Sequence, residues 1–426
     1  MHGVVVSGIG WVTCLGREPA EIENRLRTLS HGIVRYPPLA DDARVPVSVA
    51  APVPGFETAS DDPEDWTYPE GIRLRLEQKR ALAPHGLYAL FAFEDALRAA
   101  GLSLEDVAED PRSGLFTASS GSAKMTHFHI DRMERVGPMR CSPLGIVASI
   151  AGTLNFNLVA RYKIQGATAG FVSACASSGH ALGYAFDEIA LGRQDRVIVV
   201  GAEDFTRQTL VPFSTMRVLS KSEDPARASR PFDRDRDGFV GTGGAVALVL
   251  ENAQTAAARG ASVLAQFRGW GQSTDGHHVA IAHPSGAGLE RAMRHALESS
   301  GVAAREIDYV NAHATGTVPG DVAEARALRR VFDEGERGPW VSSTKGLTGH
   351  ALSLASAMEA GFSILALQGG FVPGQAGLET PDPEAETLRL PRETVETPLR
   401  HVLSNSSGFG GANVSLVFSS PAGGHG

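Results

Sequence analysis

One thiol lies in a stretch suited to covalent chemistry: Cys175, in the run VSACASSGHAL. Phe171–Ala174 reads as a buried strand and the small residues from Ala176 onward as a helix. Cys175 is therefore predicted at a strand-to-helix turn, with its sulfur near the helix N-terminus. Free N–H groups and the helix dipole favour negative charge there, which predicts a lowered thiol pKa and donors for a developing oxyanion. Taken alone, the residue reads more readily as a small buried hydrophobe. Ser177, Ser178 and Gly179 weigh toward chemistry, because they let another backbone or a thin ligand come close.

Two histidines have comparable settings. His313 stands at the end of the strand-like Asp308–Ala312, in NAHATGT, where a layered α/β fold opens its crevice. Thr315 and Thr317 follow on a glycine-containing loop and can hydrogen-bond a polar linker; the plainer alternative is a loop histidine satisfied by backbone. The second segment is STKGLTGHALSLASAMEA. Here Trp340–Ser343 reads as a short strand, Lys345 to Gly349 as a turn, and His350 as the opening of an Ala- and Ser-rich helix. An imidazolium is disfavoured at a helix N-terminus, so His350 is expected neutral, the form that polarises a thioester carbonyl. Lys345 and Glu359 read either as a buried ion pair or as a solvated loop cation and a surface carboxylate. Glycines flank Phe409 in VLSNSSGFGGANVSLVF, which predicts a hairpin turn or a turn whose Phe acts as a movable plug.

The elements that must position these residues alternate. Strand-like runs cover Val4–Gly8, Arg196–Gly201, Ala245–Leu250, Ile307–Asn311, Trp340–Ser343 and Val414–Phe418. Helical patterns cover Tyr88–Ala100, Ser177–Leu191, Leu289–Ser299 and Ala351–Gln368, with Gly192 and Gly369 as left-handed C-terminal residues. Such alternation predicts a layered α/β fold. VVVSGIGWVT at the start echoes VLAQFRGWGQST at 263–274, which fits two similar halves meeting near residue 255. Glu57–Tyr68 reads as an acidic surface insertion, and low complexity is confined to the terminal PAGGHG.

The 426 residues are 42% apolar and 20% charged, an ordinary globular balance. A net charge of -9 gives no reason to expect nucleic acid. Three cysteines (Cys14, Cys141, Cys175) suit a reducing compartment better than a disulfide framework. No apolar stretch approaches the roughly 20 residues that span a bilayer, and HGVVVSGIG leaves no room for a signal peptide. The expectation is a cytoplasmic protein that touches no membrane. Two basic runs, Arg73, Arg75, Lys79 and Arg80, and Arg132 with Arg135, could steer an acidic partner or simply be solvated.

In order and at these separations, the segments resemble the β-ketoacyl-acyl carrier protein synthases of the thiolase-like condensing-enzyme superfamily, closest to the type II elongating enzymes. The resemblance runs from VVVSGIGWVT through SRPFDRDRDGFV at 229–240 to SSGFGGANVSLVF. It implies a five-layered αβαβα fold from two similar halves, 1–255 carrying the nucleophile and 256–426 carrying both histidines. It implies Cys175 as acyl-carrying nucleophile, and His313 and His350 as the pair that assists decarboxylation and stabilises the enolate. Lys345 would order that site with Glu359 as its ion-pair partner. Phe409 would be the gate, its N–H joining that of Cys175 in the oxyanion hole, and Thr315 and Thr317 would contact phosphopantetheine. The implied partners are an acyl carrier protein and a second subunit, either an identical chain or a chain-length partner. No metal or organic cofactor is implied, since the substrates ride on the carrier's phosphopantetheine. The implied reaction is condensation of an acyl thioester with malonyl-carrier protein, in fatty-acid, polyene or polyketide synthesis.

Departures are Ala314 for a usual Gly, Ser407 for a usual Phe, and GTGGA at Gly241–Ala245 for Gly-Glu-Gly-Ala-Gly. Ser407 opens volume beside the gate, which weighs against a housekeeping fatty-acid substrate. A thiolase would need a second cysteine after Cys175, and none follows. Priming and chalcone-type synthases pair Cys with His and Asn, against which His350 argues. A non-catalytic chain-length partner typically lacks the cysteine.

Overall fold

Strands buried on both faces read as continuous apolar runs, and the centre of this protein is made of them. The computed structural model describes residues 1–332 and 338–421, so most of the PAGGHG tail lies outside the described residues. Among these, ten strands form one sheet: β1 (Val4–Val12), β2 (Ser113–Ala118), β3 (Thr168–Phe171), β4 (Arg196–Glu203), β5 (Gly244–Asn252), β6 (Ala265–Thr274), β7 (Tyr309–Asn311), β8 (Trp340–Ser342), β9 (His401–Gly408) and β10 (Ala412–Ser419). The order is β8-β7-β9-β10-β6-β1-β5-β4-β2-β3.

The two sides of this sheet repeat one topology. From either edge, the strands of a side run third, second, fourth, fifth, first in chain order. The pairings match as well: parallel for β3/β2 and β2/β4, antiparallel for β4/β5 and β5/β1, and the same sequence from β8 to β6. The echoing segments are β1 and β6, equivalent in the two sides. They join by a short antiparallel pairing, Val4 to Phe267 through Val6 to Ala265.

Helices fill three layers around the sheet. α1 (Pro84–Ala99) and α3 (Thr153–Tyr162) flank one outer face, with α2 (Ala123–Val136) between them in the chain. α5 (Ala287–Ser300) and α6 (Val318–Phe332) cover the other outer face, and α4 (Ser177–Ala190) and α8 (Ala355–Gly369) lie inside, with the one-turn α7 (Lys345–Thr348) before α8. Side chains alternate along a strand, so one face of each strand joins the inner core and the other an outer core. Thus Val199 packs inward with Leu182 and Ile189 of α4, Phe362 of α8, Trp11 and Leu416. Its neighbours Ile198 and Val200 pack outward with Leu90, Phe93 and Leu154. On the other side Val310, Leu403 and Val417 meet Leu289, Met293 and Leu328. The result is the five-layered αβαβα, thiolase-like arrangement.

α8 is buried from Ala355 to Leu367 and apolar but for Ser356, Glu359 and Ser363, as suits an inner-layer helix. Small residues let it sit close: a Cβ at Gly361 would fall 2.3 Å from the Trp11 ring. None of the described helices is long and apolar enough to cross a membrane.

Several local expectations need correction. β3 ends at Phe171 and is half-exposed, because it is the last strand of the sheet; residues 172–174 leave it to turn into α4. The left-handed residue after α8 is Gly370 (φ 66), not Gly369. Glu57–Tyr68 is more than a surface insertion. Trp66 is buried in the first outer core, and Lys124 Nζ donates to the carbonyls of Thr58, Ala59 and Ser60, each at 2.7 Å.

Candidate active site

Cys175 does lie between β3 and α4, one residue after Ala174, which holds a left-handed φ of 50°. A non-glycine residue there is strained, and the surrounding contacts must hold it in place. Ser177 does this from both sides: its hydroxyl donates to the Ala174 carbonyl at 2.6 Å and accepts from the Ser173 N–H at 2.8 Å. Among the described residues the Cys175 N–H donates to no backbone carbonyl.

The two histidines meet the thiol from the other half of the chain. His350 Nε2 lies 2.9 Å from Cys175 Sγ, and the His313 and His350 rings stand nearly perpendicular with centroids 5.3 Å apart. His350 does not open a helix. Its N–H bonds to Val240 O at 2.7 Å, and α8 begins five residues later, after a 3-10 turn. Both imidazoles are nonetheless held neutral, well below their ordinary pKa. Burial is the main cause, and the positive charge of Lys345 adds to it. The neutral form therefore comes from the tertiary environment and not from a helix dipole. Because neither ring gains a proton on mild acidification, neither imidazole should titrate near pH 6.5, which proton NMR of the two rings checks directly.

The thiol departs from expectation. Burial pushes Cys175 up to about 12, against the opposing pull of Lys345. A helix N-terminus contributes about 0.3–1 kcal/mol, up to roughly 2 in favourable sites, too little to outweigh loss of solvent. The resting site is thus a neutral thiol against a neutral imidazole.

Lys345 on α7 and Glu359 on α8 form a buried ion pair beneath the histidines. Burial raises Glu359 to about 7, opposed by Lys345. The surface alternative for both residues is excluded.

Two carboxylates that the sequence reading missed hold the His313 segment. Glu324 accepts from the His313 N–H (3.0 Å), the Ala314 N–H (2.6 Å) and Asn405 Nδ2 (3.2 Å). Asp321 accepts from the N–H groups of Thr315 (3.0 Å) and Gly316 (3.1 Å) and faces Arg236 at 3.2 Å. Burial raises Glu324 to about 7 and Asp321 to about 6. A signal existed: Asp321, Glu324, Ala325 and Leu328 share the i, i+3, i+4, i+7 face that α6 buries. Ala314 is accommodated because its backbone is not left-handed.

These groups open onto a cavity of about 570 Å³. Cys175, His313 and His350 line its buried end with Phe239 and Leu352, and Arg217, His278 and Val318 line it where it reaches solvent. Thr315 and Thr317 also face it, their hydroxyls 3.0 Å apart. Phe409 sits in the β9–β10 turn, 38% exposed, against Phe213 at 6.1 Å. Ser407 lines the same cavity, with its hydroxyl donating to Asn413 Oδ1 at 2.7 Å. Gly408 lets this hairpin reach the nucleophile turn: a Cβ there would lie 2.8 Å from Ser173 O and 3.0 Å from Cys175 N. Gly408→Ala should therefore push the hairpin off the Cys175 amide and, if that amide is the oxyanion donor the resemblance implies, cut condensation about a hundredfold. Steady-state kinetics on a variant with an unchanged circular-dichroism spectrum checks this.

Residues 1–256 match the beta-ketoacyl synthase N-terminal domain and residues 264–379 its C-terminal domain. The chain belongs to the β-ketoacyl synthase family and is an acyltransferase of the condensing type. It is 34% identical to 3-oxoacyl-acyl-carrier-protein synthase 1 of Haemophilus influenzae over 98% of this chain and 99% of that one. The Escherichia coli K12 synthase 1 is 34% identical over 98% of each chain. Among solved structures, a beta-ketoacyl synthase from Burkholderia phymatum superimposes with a TM-score of 0.89 at 33% identity, covering 99% of this chain and 100% of that one. The ishigamide ketosynthase/chain length factor does so with 0.87 at 29% identity, over 99% and 100%.

Proposed function

We propose that the protein condenses an acyl thioester with malonyl-acyl carrier protein to a 3-oxoacyl-carrier product, with Cys175 as acyl carrier. The observation that supports this most directly is the contact between Cys175 Sγ and His350 Nε2 at the buried end of the cavity, with His313 beside it. In the first step the Cys175 sulfur attacks the acyl carbonyl, the carrier thiolate leaves, and the thiol proton ends on that departing group. Malonyl thioester then loses carbon dioxide, and the neutral N–H groups of His313 and His350 stabilise the enolate oxygen. The enolate carbon attacks the acyl-cysteine, whose developing oxyanion meets the N–H groups of Cys175 and Phe409. Carbon–sulfur cleavage releases the Cys175 thiolate, which takes a proton from solvent to return the thiol. Lys345 and Glu359 order the histidines, and Thr315 and Thr317 hold the pantetheine arm. A non-catalytic chain-length role is disfavoured by the intact Cys175, His313 and His350 set. Intact-mass analysis with a panel of acyl-carrier proteins tests the reading: acyl adducts on the enzyme support it, and no adduct with any acyl group overturns it.

The repeated strand order supports a division into similar halves, 1–255 and 256–426. We infer a dimer across the β3 edge, which has no strand partner among the described residues and is flanked by exposed Val172 (65%) and Phe156 (48%). Carrier docking falls to the basic runs, although several of those charges are already engaged. Arg75 pairs with Glu77 at 3.1 Å, Arg80 with Glu64 at 2.5 Å, Arg135 with Asp131 at 2.6 Å, and Lys79 lies over Tyr68. Exposed pairs of this kind hold their charges weakly, so the cations remain available. Reversing Arg75 and Lys79 to Glu should raise KM for carrier-bound substrate roughly tenfold at low salt. Unchanged kinetics there would remove them from the docking site.

A further inference from the structure

Cys175, His313 and His350 are far apart in the chain, so no metal-ligand spacing is visible in the sequence. In the fold, one ligand atom from each lies within 4.8 Å of the others. We propose that these three side chains form an inhibitory site for a soft divalent cation, zinc foremost. The inference goes beyond the condensation chemistry and does not depend on which acyl chain the enzyme takes.

The geometry needs little adjustment. Tetrahedral zinc, with Zn–S of about 2.3 Å and Zn–N of about 2.0–2.1 Å, sets ligand atoms roughly 3.3–3.6 Å apart. Cys175 Sγ and His350 Nε2, at 2.9 Å, must open by about 0.6 Å, and His313 must close by up to about 1.2–1.5 Å. The ligand chemistry fits as well. A thiolate with two imidazoles selects zinc or cadmium over magnesium or calcium. On binding, the S–H bond breaks, the sulfur–metal bond forms, and one proton passes to solvent. Three protein ligands leave a fourth position facing the cavity for water.

A second observation bears on strength. Nδ1 of both His313 and His350 is buried without a hydrogen-bond partner. Resident zinc sites anchor each ligating ring through such an outer bond. Its absence at both rings makes this a reversible trap and not a permanent centre. The metal would occupy the sulfur that receives the acyl group, so metal and acyl group exclude each other.

The test uses metal-stripped wild-type enzyme with zinc chloride, and cadmium chloride as a spectroscopic probe. One bound equivalent of zinc should lower acyl loading at least tenfold, with recovery on adding EDTA. Cadmium should give an ultraviolet cadmium–thiolate band that is absent from Cys175→Ala, and His313→Ala and His350→Ala should each weaken cadmium binding at least tenfold. Pre-acylated wild-type enzyme should show no band. The proposal is overturned if excess zinc leaves loading unchanged, or if cadmium binds the acylated enzyme as tightly as the free one. The latter result would place the metal outside the acyl site, for example on the exposed His277 and His278. An enzyme that loads acyl groups normally in the presence of zinc refutes the metal site and leaves the condensation reading intact.

Discussion

Replacing Cys175 by alanine should abolish the acyl adduct and lower condensation at least about a thousandfold, while malonyl decarboxylation persists. The separation follows from the geometry. In the proposed mechanism the acyl group needs the sulfur, but enolate stabilisation needs only the neutral His313 and His350, which are positioned from other elements. His313 is held by Glu324 on α6, and His350 by the Val240 carbonyl. Removing the sulfur leaves both anchors in place. Intact mass after incubation with acyl-carrier protein reads the first half-reaction, and carbon dioxide release from malonyl-carrier protein reads the second. If both half-reactions vanish in a variant that keeps the wild-type melting curve, the histidines do not act independently of the thiol.

Lys345→Met should destabilise the fold by about 3–5 kcal/mol, because it leaves Glu359 buried without its counter-ion. Removing both partners, as Lys345→Met with Glu359→Leu, should restore most of that loss, since a buried pair replaced by well-packed apolar residues is often neutral. Denaturant unfolding of the two variants measures the difference. Activity should not return with stability. The charge of Lys345 pulls the Cys175 thiol toward its thiolate and helps keep His313 and His350 neutral. Without it, the thiol moves further up and both imidazoles move back toward their ordinary value. Acyl loading in the stable double variant should therefore be slower, and decarboxylation should acquire sensitivity to acid. A double variant as active as wild type would confine the pair to packing.

The elements differ in how far they could be read from sequence. Long apolar runs such as Arg196–Glu203 and the Ala-rich 355–369 segment declare a buried strand and a buried helix, since only inner layers tolerate apolar residues on every side. The short strands Tyr309–Asn311 and Trp340–Ser342 were placed, but their ends were not, because only a few residues pair in each. At the site, Cys175, His313, Lys345, His350 and Phe409 were legible because each stands at an element boundary among small residues. Asp321 and Glu324 were not singled out. Acidic residues on a helix read as solvent-facing until the partner amides of residues 313–316 are seen.

What the sequence by itself determined is therefore the set of reactive groups, the alternation of elements and the small residues that let them approach. Only the tertiary structure decided their protonation states. Cys175 stands where its position in the sequence puts it, at a helix N-terminus that favours a lowered pKa, yet enclosure by the inner layer drives the thiol up to about 12. His350 is neutral, as a helix dipole would have made it, but burial and Lys345 are the cause. The physical reason is the same in both cases. A dipole is a local property that the order of residues can reveal, whereas desolvation depends on everything packed around a group, and that is settled when residues 175, 313, 345 and 350 are brought together by the fold.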